Sequence, residues 1–178
     1  MGAGTGAFAL YAAPKCKHIY AVDVSQPMLD YSRQKAEQLG LQNITFCHGG
    51  FLTYEHQAEL ADAMVSVAVL HHLPDFWKLV GLQRAANMLK PGGKLFLFDV
   101  VFPSDMAGYE ARFDGWIQSM AEKVGAEFAA EAETHIRDEY STFDWIMEGL
   151  LNRAGFRIDQ AEYMDGFGAT YLCAKAKE

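Results

Sequence analysis

Met1-Gly2-Ala3-Gly4-Thr5-Gly6 and, twelve residues on, His18-Ile19-Tyr20-Ala21-Val22-Asp23-Val24 decide how the rest of the chain is read. The first stretch sets glycine at alternate positions, where backbone can come close to a ligand with no Cβ in the way. The second is an apolar, aromatic and β-branched run that ends on an acid, which predicts a strand. A glycine loop opening a helix, followed by a strand with a terminal acid, is how open α/β sheets hold ligands at the carboxyl ends of their strands. The helix is predicted over Thr5–Ala13, with Pro14 ending it.

Working outward, Ser25 is expected to cap a helix carrying Met28, Leu29, Ala36 and Leu39 on one side, with Gly40 as its stop. Asn43–His48 reads as the next strand. Ala63–Leu70 is a short apolar run expected to be a central strand buried on both faces. Pro74 opens a helix reaching about Leu89. Pro91-Gly92-Gly93 then turns the chain into a strand over Lys94–Val101. Between Ser104 and Tyr140 the composition shifts toward Glu and Ala. Tyr109, Phe113, Trp116 and Met120 recur there at helical spacing, so two inserted helices are expected, their aromatic stripe packed on the sheet layer in preference to a ligand. A helix over Thr142–Arg153, stopped by Gly155, precedes strands over Phe156–Tyr163 and Thr170–Lys175, joined by a turn at Asp165-Gly166. Strands and helices alternate, so the fold class is α/β with a mainly parallel sheet and an antiparallel last strand.

Composition bounds the function. A length of 178 residues suits one domain, and 51% apolar content supplies a core. The net charge of −8 is the wrong sign for a surface that tracks phosphates, so nucleic acid is not an expected partner. No run reaches the eighteen or more apolar residues that span a bilayer, so no membrane partner is expected. The apolar start lacks the basic region of a signal peptide, and Gly6 stands where a myristoylation motif requires Ser or Thr. Cys16, Cys47 and Cys173 are odd in number and widely spaced, as in a cytoplasmic protein with reduced thiols, and Cys47 and Cys173 are expected in strands as core residues.

Several residues carry chemistry by type and place. Gly2, Ala3, Gly4 and Gly6 form the loop, and the helix after it offers amide donors to an anion. Asp23 can accept hydrogen bonds from two ribose hydroxyls. Val24 and Met28 can pack on an adenine face, although Met28 suits the core equally well. His71 and Asp99, at the ends of two strands, are the candidates for proton removal from an acceptor. His71 and His72 are adjacent without further converging ligands, so no metal is expected.

In order, GAGTG, VDVS, GGF, VLHHL, LKPGG and a terminal AGF-strand-turn-strand resemble the class I S-adenosylmethionine-dependent methyltransferases over nearly the whole chain, in particular the small-molecule branch of the ubiquinone and menaquinone type. The resemblance implies a three-layer Rossmann-like fold with a seven-stranded sheet, S-adenosyl-L-methionine as cofactor, and a small-molecule methyl acceptor. It implies that the glycine loop holds the methionyl carboxylate and that Leu70 and His71 line the methionyl part. Gly50 stands where the family often has an acid for the adenine amino group, leaving Phe51 to stack on adenine while backbone makes the polar contacts. It further implies that residues 104–140, with the 165–168 turn, form a lid over a single domain of residues 1–178. The family places a strand before the glycine loop, where only Met1 stands. Three readings of that gap are open: the chain is internal to a longer protein, its start is assigned too late, or a homodimer or other partner chain fills the gap. Two other readings remain open. A nicotinamide-dependent oxidoreductase would use Gly2, Gly4 and Ala7 as a G-x-G-x-x-A loop with Asp23 on the ribose. A non-catalytic descendant would bind cofactor without turnover.

Overall fold

The computed structural model describes residues 1–103, 105, 107–164 and 168–176, without the side chains of 128, 131 and 135. The expected turn at Asp165-Gly166 lies outside them. Among the described residues, eight strands run β1 (Ile19–Asp23), β2 (Ile44–His48), β3 (Ala61–Val67), β4 (Leu89–Asp99), β5 (Val101–Phe102), β6 (Thr142–Phe143), β7 (Phe156–Met164) and β8 (Gly168–Lys175). Six α-helices are α1 (Ala7–Ala12), α2 (Gln26–Gln38), α3 (Asp75–Met88), α4 (Tyr109–Lys123), α5 (Ala126–Arg137) and α6 (Asp144–Arg153). The result is the Rossmann-like α/β fold expected from the sequence.

The sheet is in pieces. Parallel β1 and β2 form one, β3-β4-β8-β7 forms the second, and the short β5 and β6 pair in parallel as a third. β8 is antiparallel to both β4 and β7, as predicted for the last strand. Residues 1–3 bridge the first two pieces: the Met1 nitrogen donates to the Val65 carbonyl of β3 at 2.8 Å, and Ala3 N to the Val22 carbonyl of β1 at 2.9 Å. β3 is consequently an edge strand, and Val67 is 46% exposed, which corrects the reading of Ala63–Leu70 as a strand buried on both faces.

Other boundaries move for local reasons. Leu29, Ser32 and Ala36 form the buried stripe of α2, while Met28 and Leu39 are exposed, so the apolar face is narrower than the sequence suggested. Pro14 sits inside a 3-10 turn over Ala13–Lys15 and continues the helical path where a stop was expected. The Pro91-Gly92-Gly93 segment is an irregularity within β4, whose Leu89 still pairs with Ala61 before Lys94 pairs with Ala63. Thr142 and Phe143 are drawn into β6, so α6 starts at Asp144.

α1 and α2 pack together beside β1 and β2, and α3 and α6 pack together beside β4 and β7. The main core lies there, built from Leu82, Leu89, Leu95, Leu97, Met147, Leu151 and Tyr171, among others. α4 packs on α5 and buries none of its residues fully. Phe113 meets Phe102 of β5 at 5.7 Å and Tyr109 at 5.8 Å between ring centroids. Within the stripe, Phe113 thus packs on Tyr109 and on the end of β5.

Candidate functional site

Gly2, Gly4 and Gly6 all adopt positive φ, at 67°, 52° and 81°. Space distinguishes them. A Cβ on Gly2 would lie 2.1 Å from Val69 Cγ2, and one on Gly6 would lie 1.8 Å from Ser32 Oγ, so these two let the loop press against the end of β3 and against α2. A Cβ on Gly4 would meet nothing within 4 Å. Gly4 thus borders open space, and its amide donates to Asp23 Oδ2 at 2.7 Å. Ser25 N donates to Asp23 Oδ1 at 2.8 Å. Asp23 is 8% exposed and ties the loop to the end of β1. Each of its carboxylate oxygens holds one amide and keeps a second lone pair, enough for two vicinal hydroxyls. The helix that follows is only six residues long, so its dipole is small, and the loop amides are the main local donors for an anion.

Val24, 69% exposed, and Met28, 43% exposed, stand beyond Asp23. A Cβ on Gly50 would lie 2.8 Å from Val24 Cγ1, so an acid at this position would displace Val24. Gly50 N is held by Thr53 Oγ1 at 3.0 Å. Phe51 does not lie on this face. It is 3% exposed, belongs to the core, and packs so tightly on α3 that a Cβ on Gly81 would come within 2.9 Å of it. The ring is turned into the hydrophobic core. Leu70 is likewise fully buried in the core, so its side chain does not line the cleft.

The end of β3 leads through Ala68, a non-glycine residue at φ 54°, into a 3-10 turn over Leu70–His72. Asp99, at the end of β4, organises this turn. Its carboxylate accepts Leu70 N at 2.7 Å and Val100 N at 2.9 Å, with Val69 N and His71 N each at 3.3 Å. The ring of His71 lies 2.6 Å away at Nδ1. Surrounded by donors, Asp99 accepts from Nδ1–H, which places the lone pair of a neutral His71 on Nε2. Asp99 is fully buried, and both of its oxygens are engaged by the turn and by His71.

Residues that the sequence did not single out complete this corner. Glu139 Oε2 lies 3.5 Å from His71 Nε2, and Glu139 Oε1 lies 3.3 Å from His72 Nδ1. Tyr140 N donates to the His71 carbonyl at 2.8 Å. Lys78 of α3, wholly buried, donates to the Tyr140 carbonyl and to Asp75 Oδ1, the latter at 2.7 Å, while Thr142 Oγ1 donates to Asp75 Oδ2 at 3.2 Å. The segment after the helical hairpin is thereby fastened to the 3-10 turn and to the start of α3. Local pattern carries no signal for these contacts, since Lys78 and Tyr140 are 62 positions apart.

A loop of glycines facing an acid at the first strand's end, with a second polar corner at the ends of β3 and β4, is the layout of a cofactor-binding α/β enzyme. The chain belongs to the methyltransferase domain family, whose model matches residues 1–93. It is 31% identical over 150 residues to the uncharacterized protein YafE of Escherichia coli K12, a match covering 83% of this chain and 63% of that protein. The chain thus spans less than two thirds of that relative. It is 24% identical over 174 residues to the demethylmenaquinone methyltransferase of Listeria monocytogenes, covering 90% of this chain and 69% of that one. In fold it is similar to the magnesium protoporphyrin IX methyltransferase of Synechocystis PCC 6803, solved with bound SAH, at a TM-score of 0.68, 17% identity, and coverage of 98% and 72%. No helix among the described residues is long and apolar enough to cross a membrane.

Proposed function

We propose that this chain binds S-adenosyl-L-methionine and directs its methyl group to a small-molecule acceptor. The observation that carries the reading is the Asp23 carboxylate, held on the Gly4 amide at 2.7 Å beside the open space over Gly4. The ribose hydroxyls would take the second lone pairs of Asp23, with adenine against the exposed Val24 and Met28 and the methionyl carboxylate on the loop amides. Family membership favours this cofactor over a nicotinamide.

The sulfonium of the cofactor is already an activated methyl donor. The protein's task is alignment of the acceptor with the S–CH3 bond and exclusion of water. The α4–α5 hairpin, with its half-covered aromatic stripe fastened down at Tyr140, serves as a lid over the carboxyl ends of the strands. The aromatic stripe of α4 and a net charge of −8 favour a small organic acceptor over nucleic acid or an anionic membrane. The free cysteines fit a cytoplasmic setting. The edges of β1 and β3 that residues 1–3 bridge are where a further strand would pair, from the same polypeptide or from a partner chain.

Calorimetric titration with S-adenosylmethionine and S-adenosylhomocysteine tests the reading. Binding is expected to weaken by about 10- to 100-fold in Asp23→Asn, which loses the anionic acceptor, and to be indifferent to NADH. Equal affinity in the variant, or competition by NADH, would remove Asp23 from a methyl-donor site. Binding without turnover on any acceptor would mark a non-catalytic descendant.

A further inference from the structure

We propose that His71, His72 and Glu139 form a binding site for one divalent transition-metal ion of the zinc type. The donor atoms, one from each residue, all lie within 4.8 Å of one another. His71 Nε2 lies 3.5 Å from Glu139 Oε2 and His72 Nδ1 lies 3.3 Å from Glu139 Oε1, so each ring faces one oxygen of the carboxylate. Ligands at about 2.0–2.1 Å around a tetrahedral zinc stand roughly 3.3 Å apart, close to each of these nitrogen–oxygen spacings. The two imidazole rings are 4.1 Å apart between centroids and inclined at 62°.

Asp99 lies 2.6 Å from His71 Nδ1, which leaves His71 Nε2 directed at Glu139, where a metal cation can bind in place of a proton. The carboxylate–histidine pair of Asp99 and His71 is also the outer support that fixes the orientation of metal-ligating histidines. Backbone contacts hold the remote ligand in place, because Tyr140 N donates to the His71 carbonyl at 2.8 Å.

Nitrogen and carboxylate ligands suit Zn, Co, Ni or Fe(II), and not Mg, which prefers an all-oxygen octahedron. Three protein ligands leave a coordination position open, and His72, with 60% of its side chain exposed, puts that position on the solvent side. The ligand class for it is an oxygen donor such as a hydroxyl or enol, whose proton the cation would acidify. The site itself stands without the methyl-transfer reading; only the identity of that oxygen donor as acceptor rests on it.

The test uses the whole chain with Cys16→Ser as background, which removes an exposed thiol that would also take metal. After chelator treatment, Co(II) is titrated and followed by its visible absorption. The expected result is saturation at one equivalent, with the intense bands of low coordination number, and displacement by Zn(II). Affinity should fall by at least about 100-fold in Glu139→Gln and in His72→Ala. S-Adenosylhomocysteine titration of the same variants reports separately on the cofactor site. Absence of saturable Co(II) or Zn(II) binding, or affinity unchanged in both variants, would overturn the proposal and leave a proton between His71 and Glu139.

Discussion

Ala68 adopts a backbone conformation that an L-residue with a Cβ disfavours by roughly 1–2 kcal/mol, at the point where β3 gives way to the histidine turn. Its amide is fixed by the Phe98 carbonyl at 2.9 Å, and the turn behind it by Asp99. Strain held by surrounding hydrogen bonds is common beside functional groups. Ala68→Gly is therefore expected to be neutral or stabilising by up to about 1 kcal/mol, and Ala68→Val to cost about 1–2 kcal/mol, both read from denaturant midpoints. The reverse order would show that the positive φ is not a property of the folded protein. At this scale the sequence disclosed the glycine loop and Asp23, because a short loop and the strand end it serves are close in the chain. It did not disclose that Phe51 and Leu70 would be buried, since an apolar side chain beside a cleft can turn either way and the core offered more contact. Glu139 was equally hidden: it is one of many acids in its segment, and only the folded chain brings it to His71.

Elements were legible where hydrophobic period and punctuation agreed. β1, β2 and α3 fall within a few residues of their predicted bounds, α4 and α5 are the two helices expected between Ser104 and Tyr140, and the stops at Gly40 and Gly155 take φ of 68° and 90°. Pairing partners outside the local window produced the exceptions. β6 captured Thr142 and Phe143 through Val101 and Phe102, and β4 kept Leu89 through Ala61, despite the intervening proline and glycines. The same long-range logic fastens the hairpin of α4 and α5. Lys78 has no exposed surface, and Lys78→Met would leave the Tyr140 carbonyl without this donor and Asp75 without its cation. The expected cost is about 2–3 kcal/mol, with faster proteolytic cleavage inside α4 and α5. Unchanged stability and cleavage would mean that Lys78 does not anchor the hairpin.

At the scale of the molecule, the α/β class and the antiparallel last strand followed from the order of elements, while the division of the sheet depended on what lies beside β1 and β3. β4 is paired on both sides, by β3 and β8, whereas among the described residues β1 has only β2 as a strand partner. Two-stranded units are marginal without further packing. Amides of Leu95 and Leu97 should consequently exchange with solvent at least about 30-fold more slowly than those of Tyr20 and Val22, a difference of about 2 kcal/mol in opening free energy. Equal protection would indicate that the two sheets open as one unit.

These scales meet at Asp23, where a residue, a strand end and the junction of two sheets coincide. The most direct test is a crystal structure of the chain with S-adenosylhomocysteine. Both ribose hydroxyls are expected within hydrogen-bonding distance of the Asp23 carboxylate, with the amino-acid end over Gly4. A ligand bound elsewhere, or bound here with Asp23 still engaged only by Gly4 and Ser25, would contradict the assignment of this face as the cofactor site.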